Sequence, residues 1–458
     1  MTDLEGESDQ PAFADVVVRF DPPLWIQRRT WILRTLRKEN VRKLLDVGCG
    51  EGSLLSVLCE PAPTRASSSL LFASTTSIHL SHMAGIDVDE NVLAQAIADT
   101  APRVSPPNAR KWEMERPRWD PLTVEIWNGG FEERNESLLD TGFDCLASTE
   151  VVEHLPPDLL SQFLPTLLGE YQPRLLLLTT PNFSFNELFS APGAPYSGYP
   201  DPTGLTKRVF RHHDHKREWT VDEFMEWCQR GAAQFGYTVE VEGLGIPVED
   251  DPWGRGRGMF ASQTAIFRRK GGASRVASST PLSPHLSSNM HLLGRHIHPT
   301  HPSSGKPLTT SLIIEQVKST MAYESRSGEI TLARLWNDDD VAIACGGDPS
   351  ILLGSLKTSP DFRVELGDDE SIWESGVTWT SFVPSPLEEP EPSDSDVRSG
   401  GTMLTDEPDV CDEGYAESWA GQGEEWGHNA DESAAGWGDS VGVADEQGQL
   451  ADGWGISA

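Results

Sequence analysis

The stretch LLDVGCGEGSLL, from Leu44 to Leu55, constrains the fold more than any other part of the chain. An apolar run reads as a buried strand, Gly48, Gly50 and Gly52 follow at once, and a helix opens behind them. Glycines there let the backbone turn sharply and approach a ligand closely, as in the first βα unit of an open sheet. The same rhythm recurs downstream. MAGIDV, LTVEIWN, FDCLAST and RLLLLTT read as four further strands. Between the last two, Leu159, Leu160, Phe163, Leu164, Leu167 and Leu168 repeat at helical spacing. From Phe20 to about Lys270 the alternation predicts a parallel sheet with helices on both faces.

The remainder of the 458 residues differs in kind. Residues 1–270 carry 27 basic against 39 acidic residues, and residues from 271 onward carry 9 against 32, within a total of −35. The last segment, 386–458, holds one Arg and 19 acids, so it repels phosphate and is not the part that grips nucleic acid. The predicted division is a disordered N-terminus (1–17), an α/β domain (18–270), a linker (271–310), a small, mostly helical accessory domain (311–383) and a disordered acidic tail (384–458). Within the α/β domain, the Ser/Thr-rich stretch 60–82 is long for a strand-to-strand link and reads as a surface insertion. The linker is rich in Ser, Pro and His, and its five histidines (His285, His291, His296, His298, His301) leave a metal-binding tract as the alternative. The six cysteines show no CxxC pairing, which favours a reducing compartment. No secretory h-region occupies the first twenty residues, and no run of 18 apolar residues occurs. The expectation is a soluble cytoplasmic protein, with the nucleus as the alternative.

Two acids narrow the glycine signal. Asp46 precedes the turn, and Asp87 ends the next strand in GIDVDE, where a carboxylate can accept hydrogen bonds from both ribose hydroxyls of an adenosyl group. A second cluster lies where the fourth strand ends. In STEVVEHLPP, Glu150, Glu153 and His154 share a face if 150–154 form one helical turn, limited by Pro156 and Pro157. Three such ligands could hold a divalent cation if a fourth came from elsewhere. Carboxylate oxygen and imidazole nitrogen suit Mg²⁺, Mn²⁺, Co²⁺ or Zn²⁺, so ligand type alone does not choose. His212, His213 and His215 in VFRHHDHKREWTVDEF are the available fourth ligands. Taken alone, E-x-x-E-H is also an ordinary solvated helix face.

The glycine turn with its two acids resembles the S-adenosylmethionine-dependent methyltransferases of the Rossmann-like class. In chain order, PPLWIQRR, LLDVGCGEGSLL, GIDVDENVL, LTVEIWNGGFEER, FDCLASTEVVEHL, TTPNFSFNELF and RHHDHKREWTVDEF resemble the Hua-enhancer-type small-RNA 3′-terminal 2′-O-methyltransferases, over about 18–270. The resemblance implies that Asp46, Gly48, Gly50, Asp87 and Gly130 contact S-adenosylmethionine, and that Glu150, Glu153, His154 and His215 hold Mg²⁺ or Mn²⁺. It implies a metal that binds the 2′- and 3′-hydroxyls of the last nucleotide, which restricts the substrate to RNA 3′ ends and excludes DNA. A cation lowers the pKa of the 2′-hydroxyl, and His154 or His215 could take its proton. His212 and His213 match no ligand position. Arg217 stands where the family has an aromatic residue, GIPVEDDPWGRGRGMFASQTAIF is a longer connection than usual, and no double-stranded-RNA-binding or La-type module is recognisable.

Two other classes remain open on sequence alone. One is a methyltransferase of the same fold acting on a small molecule or protein, which would be indifferent to EDTA. The other is a non-catalytic Argonaute-binding scaffold, which would bind no S-adenosylmethionine. The scaffold reading rests on Trp419, Trp426, Trp437 and Trp454, three of them followed by Gly, in a segment too polar to bury them. This pattern resembles the glycine–tryptophan hooks of Argonaute-binding proteins, so Argonaute is an expected partner under either function. RNA contacts are expected from Arg28–Arg29, Lys207–Arg208–Arg211, Arg255–Arg257 and Arg268–Arg269–Lys270.

Overall fold

A computed structural model describes residues 18–66, 77–103, 115–194, 198–251, 253–255, 259–271, 289–366 and 372–383. The expected N-terminal and C-terminal disordered segments and the tail tryptophans lie outside the described residues. No described helix is long and apolar enough to cross a membrane.

All five expected strands form: β1 (Lys43–Val47), β2 (His82–Asp87), β3 (Leu122–Asn128), β4 (Cys145–Thr149) and β5 (Leu175–Pro181). They run parallel in the order β3-β2-β1-β4-β5. A two-residue hairpin, β6 (Tyr199–Pro200) with β7 (Val209–Phe210), stands apart. Then β8 (Tyr237–Leu244) and β9 (Ser262–Arg269) complete the main sheet antiparallel, β9 beside β5 and β8 outermost. Alternate residues point to opposite faces. Leu44 and Met83 pack with α1 (Leu24–Lys38), α2 (Ser53–Leu58) and α3 (Glu90–Asp99). Leu45 and Ala84 pack on the other face with α4 (Glu136–Thr141), α5 (Pro157–Leu164) and α6 (Val221–Phe235). Every residue of β5 is buried, as a strand covered on both sides requires. This is the Rossmann-like, doubly wound arrangement expected from the sequence. Its topological switch point lies between β1 and β4, and ligands of such sheets bind at the carboxyl ends there.

The linker expectation needs correction. Residues 272–288 lie outside the described residues, but His291–His298 form an eighth strand, β10, antiparallel to β3. The edge of β3 would otherwise present unpaired amides and carbonyls. The histidines there are structural. His296 and His298 donate through Nε2 to the carbonyls of Ile97 and Thr100 at the end of α3, at 2.9 and 3.0 Å. His301 stacks edge-on against Trp119.

Beyond β10, α7 (Thr310–Glu324), β11 (Glu329–Thr331), α8 (Leu332–Trp336), α9 (Asp339–Ala344), α10 (Pro349–Thr358), β12 (Phe362–Glu365) and β13 (Gly376–Trp379) form the accessory unit. Its antiparallel sheet has the order β11-β13-β12, which with the preceding helices is the connectivity of a winged helix. It is built onto the α/β domain. Trp119 is buried within its apolar core, Trp336 Nε1 donates to the Pro63 carbonyl at 2.9 Å, and Arg65 N donates to the Gly347 carbonyl at 2.9 Å. The described part of the 60–82 insertion is thus a seam between the two units, at the amino ends of β2 and β3; residues 67–76 lie outside the described set.

Candidate active site

Two clusters meet at the carboxyl ends of β1, β2 and β4. In the first, Gly48, Gly50 and Gly52 have φ of 75°, 52° and 77°, a region that favours glycine. A Cβ at Gly48 would lie 2.5 Å from Val151, whereas a Cβ at Gly50 would meet nothing within 4 Å. The turn therefore packs on one side and opens on the other. Asp87 secures it, accepting from Gly50 N at 2.9 Å and Asp89 N at 3.0 Å. Asp46 lies beneath, 2% exposed, and its Oδ1 has no hydrogen-bond partner. Burial, with the nearby charge of Asp87, pushes its carboxyl up to about 7. A buried carboxylate left in this state suits a cationic ligand group. Gly130 follows β3, in the turn after Asn128, close to the Glu132 carboxylate. The five expected cofactor residues thus come from three adjacent strand ends.

The second cluster follows β4. Glu150 has φ of 53°, and a 3₁₀ turn, rather than an α-helical one, spans Val152–His154. Glu153, His154 and His215 each offer a ligand atom, all within 4.8 Å of one another. Glu153 and His215 are fully buried. The loop bearing His215 is fixed to the turn, because Lys216 N and Arg217 N both donate to the Glu153 carbonyl, at 2.7 and 3.0 Å. Thr180 donates to Glu153 Oε2 at 3.0 Å, while Oε1 has no hydrogen-bond partner. Burial, and then the charge of Glu150, pushes the Glu153 carboxyl up to about 8.

Each histidine is oriented by a carboxylate. His215 Nδ1 lies 2.6 Å from Glu218 Oε1, and His154 Nδ1 lies 3.0 Å from Asp214 Oδ2. Glu218 is fully buried and also accepts from Arg211 N at 2.8 Å and Asn186 Nδ2 at 2.6 Å. Burial lowers the pKa of His215 and outweighs Glu218; burial also opposes protonation of His154, but Asp214 together with the charges of Glu153 and Glu150 outweighs it and the net shift is upward. Carboxylates on Nδ1 leave Nε2 as the donor atom, the usual second layer of a histidine metal site. One buried carboxylate oxygen lacking a partner beside two such imidazoles fits a divalent cation.

Glu150, the other ligand expected from the motif, is not among the three groups that lie within 4.8 Å of one another. Its carboxylate is held by Arg28 Nη1 at 2.9 Å, Thr179 Oγ1 at 2.8 Å and Ser262 Oγ at 3.0 Å. It stands next to the trio, paired with a buried guanidinium, and its charge still acts on Glu153. His212 and His213, which match no ligand position of the resemblance, form a second, more exposed group with Asp214 that could also hold a cation; the His212 ring centroid lies 5.4 Å from that of His215. Sequence reasoning missed Asp214, Glu218, Asn186 and the two threonines, and it assigned Arg28 to RNA contact where the structure pairs it with Glu150. Only the placement of Asp214 and Glu218 beside His215 in DHKRE offered a signal.

The expected RNA-contacting cations are largely engaged elsewhere. Arg28 pairs with Glu150, Arg208 with Glu223 at 2.7 Å, Arg255 with Asp251 at 2.9 Å, and Arg268 with Glu39 and Glu240 at 3.1 and 2.7 Å. Arg257 lies outside the described residues.

Comparison with known proteins agrees with the motifs. The chain is 30% identical over 267 residues to the small RNA 2′-O-methyltransferase of Rattus norvegicus, covering 58% of this chain and 56% of that protein. It is 32% identical over 250 residues to the small RNA 2′-O-methyltransferase of Xenopus tropicalis, covering 55% and 56% respectively. It thus spans about half the length of these relatives. A crystal structure of a small RNA methyltransferase superposes with a TM-score of 0.43 at 26% identity, over 64% of this chain and 30% of that one. No protein-family model matches the chain. The family resemblance read from the motifs is borne out over the α/β part of the chain.

Proposed function

We propose that this protein transfers a methyl group from S-adenosylmethionine to the 2′-hydroxyl at the 3′ end of a small RNA, with Mg²⁺ or Mn²⁺ held by Glu153, His154 and His215. One observation carries the reading. At a single switch point, an open glycine cradle over an unpartnered buried carboxylate adjoins a carboxylate–imidazole trio in which Glu153 and His215 are buried and His154 is partly exposed. The names of the similar proteins supply the substrate class.

In this reading Asp87 takes the ribose hydroxyls of the cofactor, and Asp46 offers its charge to the cationic end. When bound, the cation would orient the hydroxyls of the terminal ribose and lower the pKa of the 2′-oxygen. The protein's own groups do the rest. Thr180 fixes one oxygen of Glu153, and Glu218 and Asp214 fix the imidazole rings. With Nδ1 of His154 committed to Asp214, its one remaining nitrogen serves either as a ligand or as the acceptor of the hydroxyl proton, not as both at once. Glu150, paired with Arg28, adds its charge beside Glu153.

The same proposal includes Argonaute as the partner of the Trp-Gly tail and a cytoplasmic setting; both rest on sequence alone. The test is methyl transfer from labelled S-adenosylmethionine to a short RNA, beside the same RNA ending in 2′-deoxyribose, with and without EDTA. Transfer only to the ribose terminus, abolished by EDTA and restored by Mn²⁺, supports the reading. Transfer indifferent to EDTA would replace it with that of a metal-free methyltransferase of the same fold.

A further inference from the structure

Beside the cation cluster runs a groove of about 230 Å³. Its walls share the elements that carry the ligands, since Leu155 follows His154 and Lys216 follows His215. Leu155, Leu160, Leu205 and Trp227 give it an apolar side, and Lys216 with Arg217 give it a cationic one. Those two cations differ from the rest of the neighbourhood. Arg28 and Arg208 are each committed to a carboxylate, and Arg211 is buried beside Glu218. Among the described residues no carboxylate pairs with Lys216 or Arg217, and the buried Arg217 Nε has no hydrogen-bond partner. The Arg217 guanidinium sits 5.6 Å from the Trp219 ring centroid, which steadies it without neutralising it. Their backbone amides donate to the Glu153 carbonyl, so the pair is anchored to the ligand turn itself.

An apolar wall facing two unneutralised cations is the chemistry of a nucleotide, a base against the aromatic and aliphatic surface and a phosphate on the charges. A small neutral substrate would gain nothing from the cations, and an acidic peptide would gain nothing from the aromatic wall. We infer that this groove is the subsite for the nucleotide that precedes the reacting ribose, its base on Trp227, Leu155 and Leu160 and the linking phosphate on Lys216 and Arg217. This inference rests on the methyltransferase reading above. Arg217 stands where the resemblance leads one to expect an aromatic residue, so this chain places a charge, and with it the phosphate contact, where a neutral ring was expected.

The test uses the full chain with Lys216→Gln and Arg217→Gln combined, and a single-stranded RNA with or without an uncharged methylphosphonate at its last internucleotide link. The double variant should raise the KM for unmodified RNA about tenfold and reduce the salt slope of RNA binding by about 1, with kcat and S-adenosylmethionine affinity within about twofold. The methylphosphonate should raise the KM of the wild type by a similar factor and leave the variant indifferent. Arg217→Lys, which keeps the charge, should restore most of the loss. An unchanged KM in the double variant, or an undiminished response of that variant to the methylphosphonate, would overturn the subsite. Failure of the wild type to methylate any RNA 3′ end would instead overturn the reading on which it rests, and the subsite with it.

Discussion

Replacing Asp46 by Asn should make the cofactor-free protein more stable and the cofactor weaker. Asp46 is 2% exposed, with one oxygen lacking a partner, and its carboxyl is pushed from 3.8 to about 7 by burial and by Asp87. A folded-state value raised above the unfolded one means the folded protein keeps a proton that the unfolded chain has released. Stability therefore falls as pH rises from about 4 to about 7, and the whole cost is present above that window. At about 1.4 kcal/mol per pH unit the cost is on the order of 4 kcal/mol. Asp46→Asn should recover at least about 1 kcal/mol at pH 8, a rise in Tm of about 2–4 °C for a domain of this size. At about pH 3.5, below the window, where the carboxyl is largely protonated in the folded and the unfolded chain alike, the two proteins should melt nearly together. S-Adenosylmethionine should narrow the difference at pH 8, because its cationic end pairs with the wild-type charge and finds none in the variant. Thermal melts at both pH values, with and without cofactor, measure all four quantities. A variant that melts below the wild type at pH 8, or gains equally from cofactor, would refute the placement of Asp46 as an uncompensated charge beneath the cradle.

Glu153→Ala, His154→Ala and His215→Ala should each abolish most methyl transfer while calorimetry shows cofactor affinity largely intact; His213→Ala should be much milder, and the reverse order for His213 and His215 would contradict the trio. Glu218→Gln should weaken Mn²⁺ binding by about 10–100-fold, read by Mn²⁺ titration in the absence of RNA, because an amide orients the His215 ring without raising its basicity. A chain truncated after residue 271 should be poorly soluble, since it bares the β3 edge and Trp119; a monodisperse, cofactor-binding fragment would contradict the structural role of β10 and the seam.

The sheet was legible because its strands are short, almost wholly apolar runs ending in recognisable turns, and RLLLLTT in particular can only be a strand covered on both faces. The glycine turn and its acids were legible for the same reason, since backbone conformation demands glycine at fixed positions. β10 was not, because HLLGRHIH sits in a Ser/Pro-rich context and its pairing depends on an edge that only the assembled sheet presents. The fate of Glu150 was hidden too. Motif spacing can bring a carboxylate to a site, but the Arg28 that pairs with it lies more than a hundred residues away on α1. Glu218 resembled any surface acid until the loop folded it inward against Asn186.

Periodate oxidation of the reaction product tests the central claim most directly. Periodate cleaves a terminal ribose that carries free 2′- and 3′-hydroxyls and spares one whose 2′-oxygen is methylated. After incubation with the protein, S-adenosylmethionine and Mn²⁺, a short RNA should acquire label and become periodate-resistant in equal proportion. Label incorporated into RNA that remains fully periodate-sensitive would place the methyl group elsewhere and contradict the account.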